Sequence, residues 1–175
     1  MERHAARRAN GALLALAICS AVADAASACE VAAAREFRLE TRKPVLGPEV
    51  RLSFGFGMQK HPILMVAKLH TGVDWAAPHG APVIAAGRGR VISAEPDGEY
   101  GNKVVVGHGG DWQTVYAQLA GFSVRPDDCV SAGTIIGTVG ITGLTAGPHL
   151  HFEVRHNDVP INPIVLPTSD KSQPR

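Results

Sequence analysis

The stretch KVVVGHGGDWQTVYAQL, residues 103–119, decides the fold. Two runs rich in valine, threonine and tyrosine flank HGGDW (108–112), whose glycines and aspartate read as a hairpin connection. The same texture extends outward on both sides. Upstream lie APVIAAG (81–87) and GRVISAE (89–95), the latter joined to the 103–107 run by the turn residues PDGEYGN (96–102). Downstream lie TIIGTVG (134–140) and LHFEVRH (150–156), with GLTAGPH (143–149) as the loop entering the last strand. Short strands punctuated by glycine and proline, with no heptad repeat and no long amphipathic helix, predict an all-β domain, mostly antiparallel, with minor α content.

Composition agrees with one packed domain and excludes some partners. Of 175 residues, 45% are hydrophobic and 19% charged, enough apolar material for one core plus a tail. Seventeen Lys and Arg against sixteen Asp and Glu leave a formal charge of +1, so nothing in the charge argues for nucleic acid. Residues 1–28 read as a signal peptide. Arg3, Arg7 and Arg8 precede the apolar run GALLALAICSAVADA (11–25), and ADA or ASA offers a cleavage site. That run is too short for a comfortable membrane span, so no transmembrane span is expected after its removal. Fourteen basic and fourteen acidic residues then remain, and the expected location is periplasmic or secreted. Residues 29–49 read as a polar connector, 50–166 as the folded domain and 167–175 as a flexible tail. Cys19 leaves with the signal. Cys29 and Cys129 stay, and a disulfide, a lipid anchor on Cys29 and two free thiols are all open.

Chemistry concentrates in two places. AGPHLHFEV (146–154) puts His149 and His151 two apart on a strand, hence on one face, while Leu150 and Phe152 point to the other. HTGVDWAAPHGAPV (70–83) adds His70 and Asp74, four apart, with Gly72 allowing the chain to bend between them. Two imidazoles and one carboxylate make a common zinc shell. Three protein ligands leave a fourth tetrahedral position open, as in catalytic rather than structural zinc sites. Neither pair is specific alone: H-x-H also occurs as two solvated strand histidines, and an isolated H-x3-D is weak. Their joint presence on an exported β-rich chain is far more specific. His61, His79 and His108 read as solvated or turn-capping, and His156 as a surface residue. Trp75 and Trp112 read as packing or groove-wall residues.

In order and spacing, HPI (61–63), HTGVDWAAPHGAPVIAAGRGRVI (70–92), YGNKVVVGHG (100–109), VYAQL (115–119), AGTIIGTVG (132–140) and GPHLHFEVR (147–155) resemble the lysostaphin-type, or LytM-like, zinc metallopeptidase domain. The resemblance covers roughly residues 50 to 166. It implies antiparallel sheets forming a groove that holds one Zn2+, and hydrolysis of peptide bonds in bacterial cell-wall peptidoglycan. The chain is then an exported zinc metalloendopeptidase. The resemblance also implies His70, Asp74 and His151 as the metal ligands and His149 as one of two catalytic histidines. The family's second catalytic histidine sits in a YAHL-like strand, and the matching position here is Gln118. A glutamine amide can donate a hydrogen bond to a developing oxyanion but cannot carry a proton near neutral pH. Gln59 also stands where the family usually has arginine. Three readings follow. The first is a peptidoglycan endopeptidase with activity reduced by Gln118. The second is a catalytically impaired module that binds peptidoglycan or activates a partner cell-wall hydrolase. The third is a zinc peptidase acting on proteins.

Overall fold

The computed structural model describes residues 37–60 and 63–168. These contain β1 (Arg51–Phe54), β2 (Gly57–Lys60), β3 (Ala67–His70), β4 (Val73–Ala76), β5 (Pro82–Ile84) and β6 (Gly89–Pro96). They continue with β7 (Asn102–Gly107), β8 (Trp112–Phe122), β9 (Cys129–Val130), β10 (Ile135–Val139), β11 (His149–His156) and β12 (Val159–Ile161). One sheet runs β1-β4-β11-β8-β7-β6-β9, with β10 joining β8 to β5 and β12 joining β11. β2 and β3 form a separate hairpin. The strand pairings are antiparallel, as the turn-punctuated sequence predicts. Helical structure among the described residues is limited to a single 3-10 turn, Gly98–Tyr100. No helix among them is long and apolar enough to cross a membrane.

β8 lies in the middle and is buried without interruption from Thr114 to Leu119, because a strand covered on both faces has no solvent side on which to alternate. Val104, Val106, Tyr116, Leu119, Ile136, Leu150 and Phe152 close the core around it. The segment read as a polar connector joins this core in its described part. Leu39 and Val45 are fully buried, each contributing about 1.5–3 kcal/mol by removal from water. Leu39 bridges Thr168, and Val45 bridges Val83. Arg42 donates from Nε and Nη2 to the Leu166 carbonyl at 3.1 and 2.6 Å. The chain after Pro163 is therefore tied down as far as Thr168. The signal segment and Cys29 lie outside the described residues. Cys129 is disulfide-bonded, which removes the free-thiol alternative at that position, and its partner lies outside the described residues.

His108 differs from its reading as a solvated turn residue. It is 2% exposed and stacks on Phe37. Burial pushes its pKa down to about 4, so at neutral pH the ring is uncharged and carries one N–H. That proton lies on Nδ1, donated to the Arg88 carbonyl at 2.6 Å. Nε2 must then accept, from the Thr114 hydroxyl at 2.8 Å. Thr114 accepts in turn from the Tyr116 phenol at 3.0 Å, which accepts from the Ala86 N–H at 2.7 Å. Each donor in this buried chain is used once.

Candidate metal centre and active-site groove

Strand register assembles the site. β4 and β11 pair so that His151 lies opposite Asp74 and His149 opposite Ala76. Side chains at alternate positions share a face, so His149, His151, Ala76 and Asp74 line one side of the sheet. β3 ends on His70, and Thr71 and Gly72 carry the chain across β11 into β4. A methyl group on Gly72 would sit 2.3 Å from the Phe152 carbonyl oxygen. Glycine is required there for close approach. On the far side, β1 pairs β4 with a register shift between Leu52 and Phe54. The extra residue of that bulge brings both Arg51 and Phe54 onto the groove face.

His70 Nε2, Asp74 Oδ1 and His151 Nδ1 form a triangle with edges of 3.1, 2.8 and 3.1 Å. Donors bound at about 2.0–2.1 Å in a tetrahedral shell lie about 3.3 Å apart, so the triangle fits a small cation. The outer nitrogens support this. His70 Nδ1 donates to the Gly55 carbonyl at 2.6 Å, and His151 Nε2 donates to Glu153 Oε1 at 3.0 Å. Both N–H groups point outward, leaving two imidazole lone pairs and a carboxylate oxygen facing one another. A positive charge satisfies that arrangement. With a proton in that role His151 carries N–H on both nitrogens: burial acts against the charged ring, but hydrogen bonds to Asp74 and Glu153 outweigh it and push its pKa up to about 9. Burial raises the Asp74 pKa, while the adjoining His151 and His70 side chains overcome this and hold the carboxyl well below the usual range.

Glu153 belongs to the site and is absent from the expectations drawn from the sequence. It is fully buried, and its Oε1 also accepts from Thr71 Oγ1 at 2.5 Å and the Tyr100 phenol at 2.9 Å. Its Oε2 accepts from Arg155 Nε at 2.6 Å. Burial opposes ionisation, but His151, Arg155 and Thr71 hold its pKa down to about 2. The signal was present in HLHFE, because Glu153 follows His151 by two and shares its face. Gln59 donates its amide to the same Gly55 carbonyl that holds His70.

His149 stands beside this triangle. Its Nδ1 lies 2.9 Å from the Gly147 carbonyl and 3.1 Å from Thr145 Oγ1, and its Nε2 is 3.7 Å from Asp74 Oδ1. The ring is oriented from behind, and its second nitrogen faces the cluster. Gln118 is placed differently. A register shift between β7 and β8 spans Ala117 and Gln118, and the φ of +65 at Gln118 marks the bulge there. Its Nε2 donates to the Glu99 carbonyl at 3.1 Å, and its Oε1 accepts from the Gly143 N–H at 2.8 Å. A methyl at Gly143 would fall 2.6 Å from that oxygen, so glycine admits the contact. Gln118 thus borders the groove with both ends of its amide engaged by backbone.

The groove measures 510 Å³ and takes in His70, Asp74, Gln118, His149 and His151 together. Trp112 lies apart, packed between Phe37 and His156, and Trp75 shares the face of Leu150, away from the groove. His79 is exposed and borders no part of it, and His61 lies outside the described residues.

An antiparallel β groove with a His–Asp–His triangle and a further histidine defines the class of a metallopeptidase-like domain. The family model of Peptidase family M23 matches residues 68–163, and the chain belongs to that family. The sequence is 45% identical over 125 residues to the DD-carboxypeptidase/endopeptidase Mpg of Neisseria meningitidis, covering 70% of this chain and 29% of the relative. It is 36% identical over 126 residues to the peptidoglycan DD-endopeptidase ShyB of Vibrio cholerae, covering 71% of this chain and 30% of the relative. A zinc-containing peptidase from Vibrio cholerae superposes with a TM-score of 0.69 at 34% identity, over 75% of this chain and 41% of that one. The chain spans less than a third of the length of these curated relatives.

Proposed function

We propose that the chain is an exported zinc endopeptidase that hydrolyses peptide bonds of bacterial peptidoglycan, with His70, Asp74 and His151 as the metal ligands. The observation that carries this reading is the triangle of three donors with both imidazole protons turned outward. Zinc held there supplies a Lewis acid that polarises a carbonyl and acidifies water. Glu153 and the Gly55 carbonyl fix the two ligand rings, as outer partners of metal-bound imidazoles do. His149 is the residue that moves protons: its Nδ1 is anchored and its Nε2 is free to take one from the nucleophile and return it to the departing amine. Relatives named as peptidoglycan endopeptidases support the substrate class, and the signal-like residues 1–28 support a periplasmic or secreted location.

A specific observation favours a second reading. The amide of Gln118 is spent on Glu99 and Gly143, so among the described groove residues His149 is left as the proton carrier beside the three ligands. General acid–base help is worth about 10²–10⁴-fold, and a site short of one partner turns over slowly or acts as a binding or activating module for another hydrolase. The deciding experiment is mass spectrometry of soluble products from purified sacculi incubated with the zinc-loaded chain, alongside Gln118→His, His149→Ala and His151→Ala. Peptides released by the native chain and lost in both histidine variants support the peptidase, with zinc retained by His149→Ala and lost by His151→Ala. Release by Gln118→His alone supports the second reading.

A further inference from the structure

Two rows of side chains line the groove floor. One is the metal row, Phe54, Asp74 and His151, which stand opposite one another across β1, β4 and β11. The next row along the strands is Arg51, Ala76 and His149, again in direct register and again on the groove. Arg51 is therefore two strands from the candidate proton carrier, about 10 Å between backbones, with only the methyl of Ala76 between them. Among the described residues lining the groove, Arg51 and Lys68 are the arginine and lysine side chains. Lys68 is already paired with Glu99 at 2.5 Å. The Arg51 side chain is exposed and makes no hydrogen bond or ion pair with any described residue.

We propose that Arg51 is a substrate-binding residue that pairs with a carboxylate of the bound peptide, on the β1 side of the bond under attack. The assignment rests on the reading of this groove as a peptide site and adds a determinant of specificity to it. An extended peptide advances about 3.3 Å per residue, so a chain passing from His149 over Ala76 meets the guanidinium within about one to three residues of the scissile bond. Guanidinium is permanently charged and offers two parallel N–H donors, which match a carboxylate and not a neutral amide. The small side chain of Ala76 leaves the path between the two residues open. A terminal carboxylate and a side-chain carboxylate share this chemistry.

The test uses three fluorescent peptides whose scissile amide is replaced by an uncleavable isostere. One ends in a free carboxylate, one in an amide, and one in an amide but with a carboxylate on the side chain after the isostere. Their affinities for the zinc-loaded native chain, Arg51→Ala and Arg51→Lys are measured by anisotropy, and circular dichroism checks the fold. A carboxylate-bearing peptide is expected to bind the native chain at least tenfold more tightly than the fully amidated one. Arg51→Ala should bind all three alike, and Arg51→Lys should fall between. Which acidic peptide gains identifies the source of the carboxylate. Equal affinities for the native chain, a preference that survives in Arg51→Ala, or no binding of any peptide overturns the assignment. Turnover of sacculi is read separately: discrimination through Arg51 without hydrolysis supports Arg51 and removes the peptidase reading.

Discussion

Truncating Gln118 to alanine separates two roles that the same side chain can be given. The change removes a donor from the Glu99 carbonyl and an acceptor from the Gly143 N–H. Glu99 is exposed and Gly143 half-buried, so water replaces part of what is lost. At about 0.5–1.5 kcal/mol net for each hydrogen bond, the two together predict a loss of about 1–3 kcal/mol. Alanine brings no relief from the left-handed backbone at this position, which costs a non-glycine residue about 1–2 kcal/mol. Gln118→Gly should therefore be less destabilised than Gln118→Ala, by up to about 1 kcal/mol. Urea unfolding gives both numbers from a shift in midpoint at constant slope. Catalysis provides the contrast. An amide that only joins the 98–101 turn to the loop before His149 should cost less than tenfold in kcat when removed. An amide serving the oxyanion should cost about 10²–10³-fold. Unchanged stability with a hundredfold lower kcat would refute the backbone role. Should the native chain show no turnover, an unshifted midpoint is enough to refute it.

Two further outcomes follow from buried groups. Glu153→Ala removes the acceptor that holds His151 Nε2, and zinc affinity measured by chelator competition should weaken about 10–100-fold. An unchanged affinity would take Glu153 out of the site. His108 has a folded pKa of about 4 against an unfolded value of about 6.5, so the unfolded chain binds the extra proton first as pH falls. Its contribution is complete above pH 6.5 and is lost between 6.5 and 4. At 1.36 kcal/mol per unit, the native chain should lose about 3 kcal/mol more over that window than His108→Gln. Parallel pH profiles of the two proteins would contradict the neutral, fully partnered ring.

The features legible in the amino-acid sequence are local ones. The valine, threonine and tyrosine runs of β7 and β8 announce themselves, and the two-residue spacing of His149 and His151 places both on one face by the geometry of a strand alone. The same rule reaches Glu153, whose signal is obscured because an acidic residue on a strand usually points to water. Leu39 and Val45 stand six apart in polar text and carry no periodicity, so only their bridges to Thr168 and Val83 reveal them as core. His108 sits beside two glycines, the signature of an open turn. Its burial comes from Arg88, Thr114 and Phe37, residues brought to it by pairing and packing.

Gln118 shows where such reading stops, and why. Aligned by text, it occupies the place of an imidazole and invites comparison of one polar side chain with another. Its direction, however, is set by a bulge that arises where β7 pairs with β8 in shifted register. The bulge turns the amide toward Glu99 and Gly143, and Gly143 belongs to the loop that delivers His149. Gln118 thus fastens two groove loops with an amide that cannot carry a proton near neutral pH. If groove order limits this chain more than proton transfer does, Gln118→His should unfold more readily than the native protein even where it cleaves faster. Faster cleavage with no loss of stability would show that the fastening has no consequence and that the missing imidazole is the whole effect.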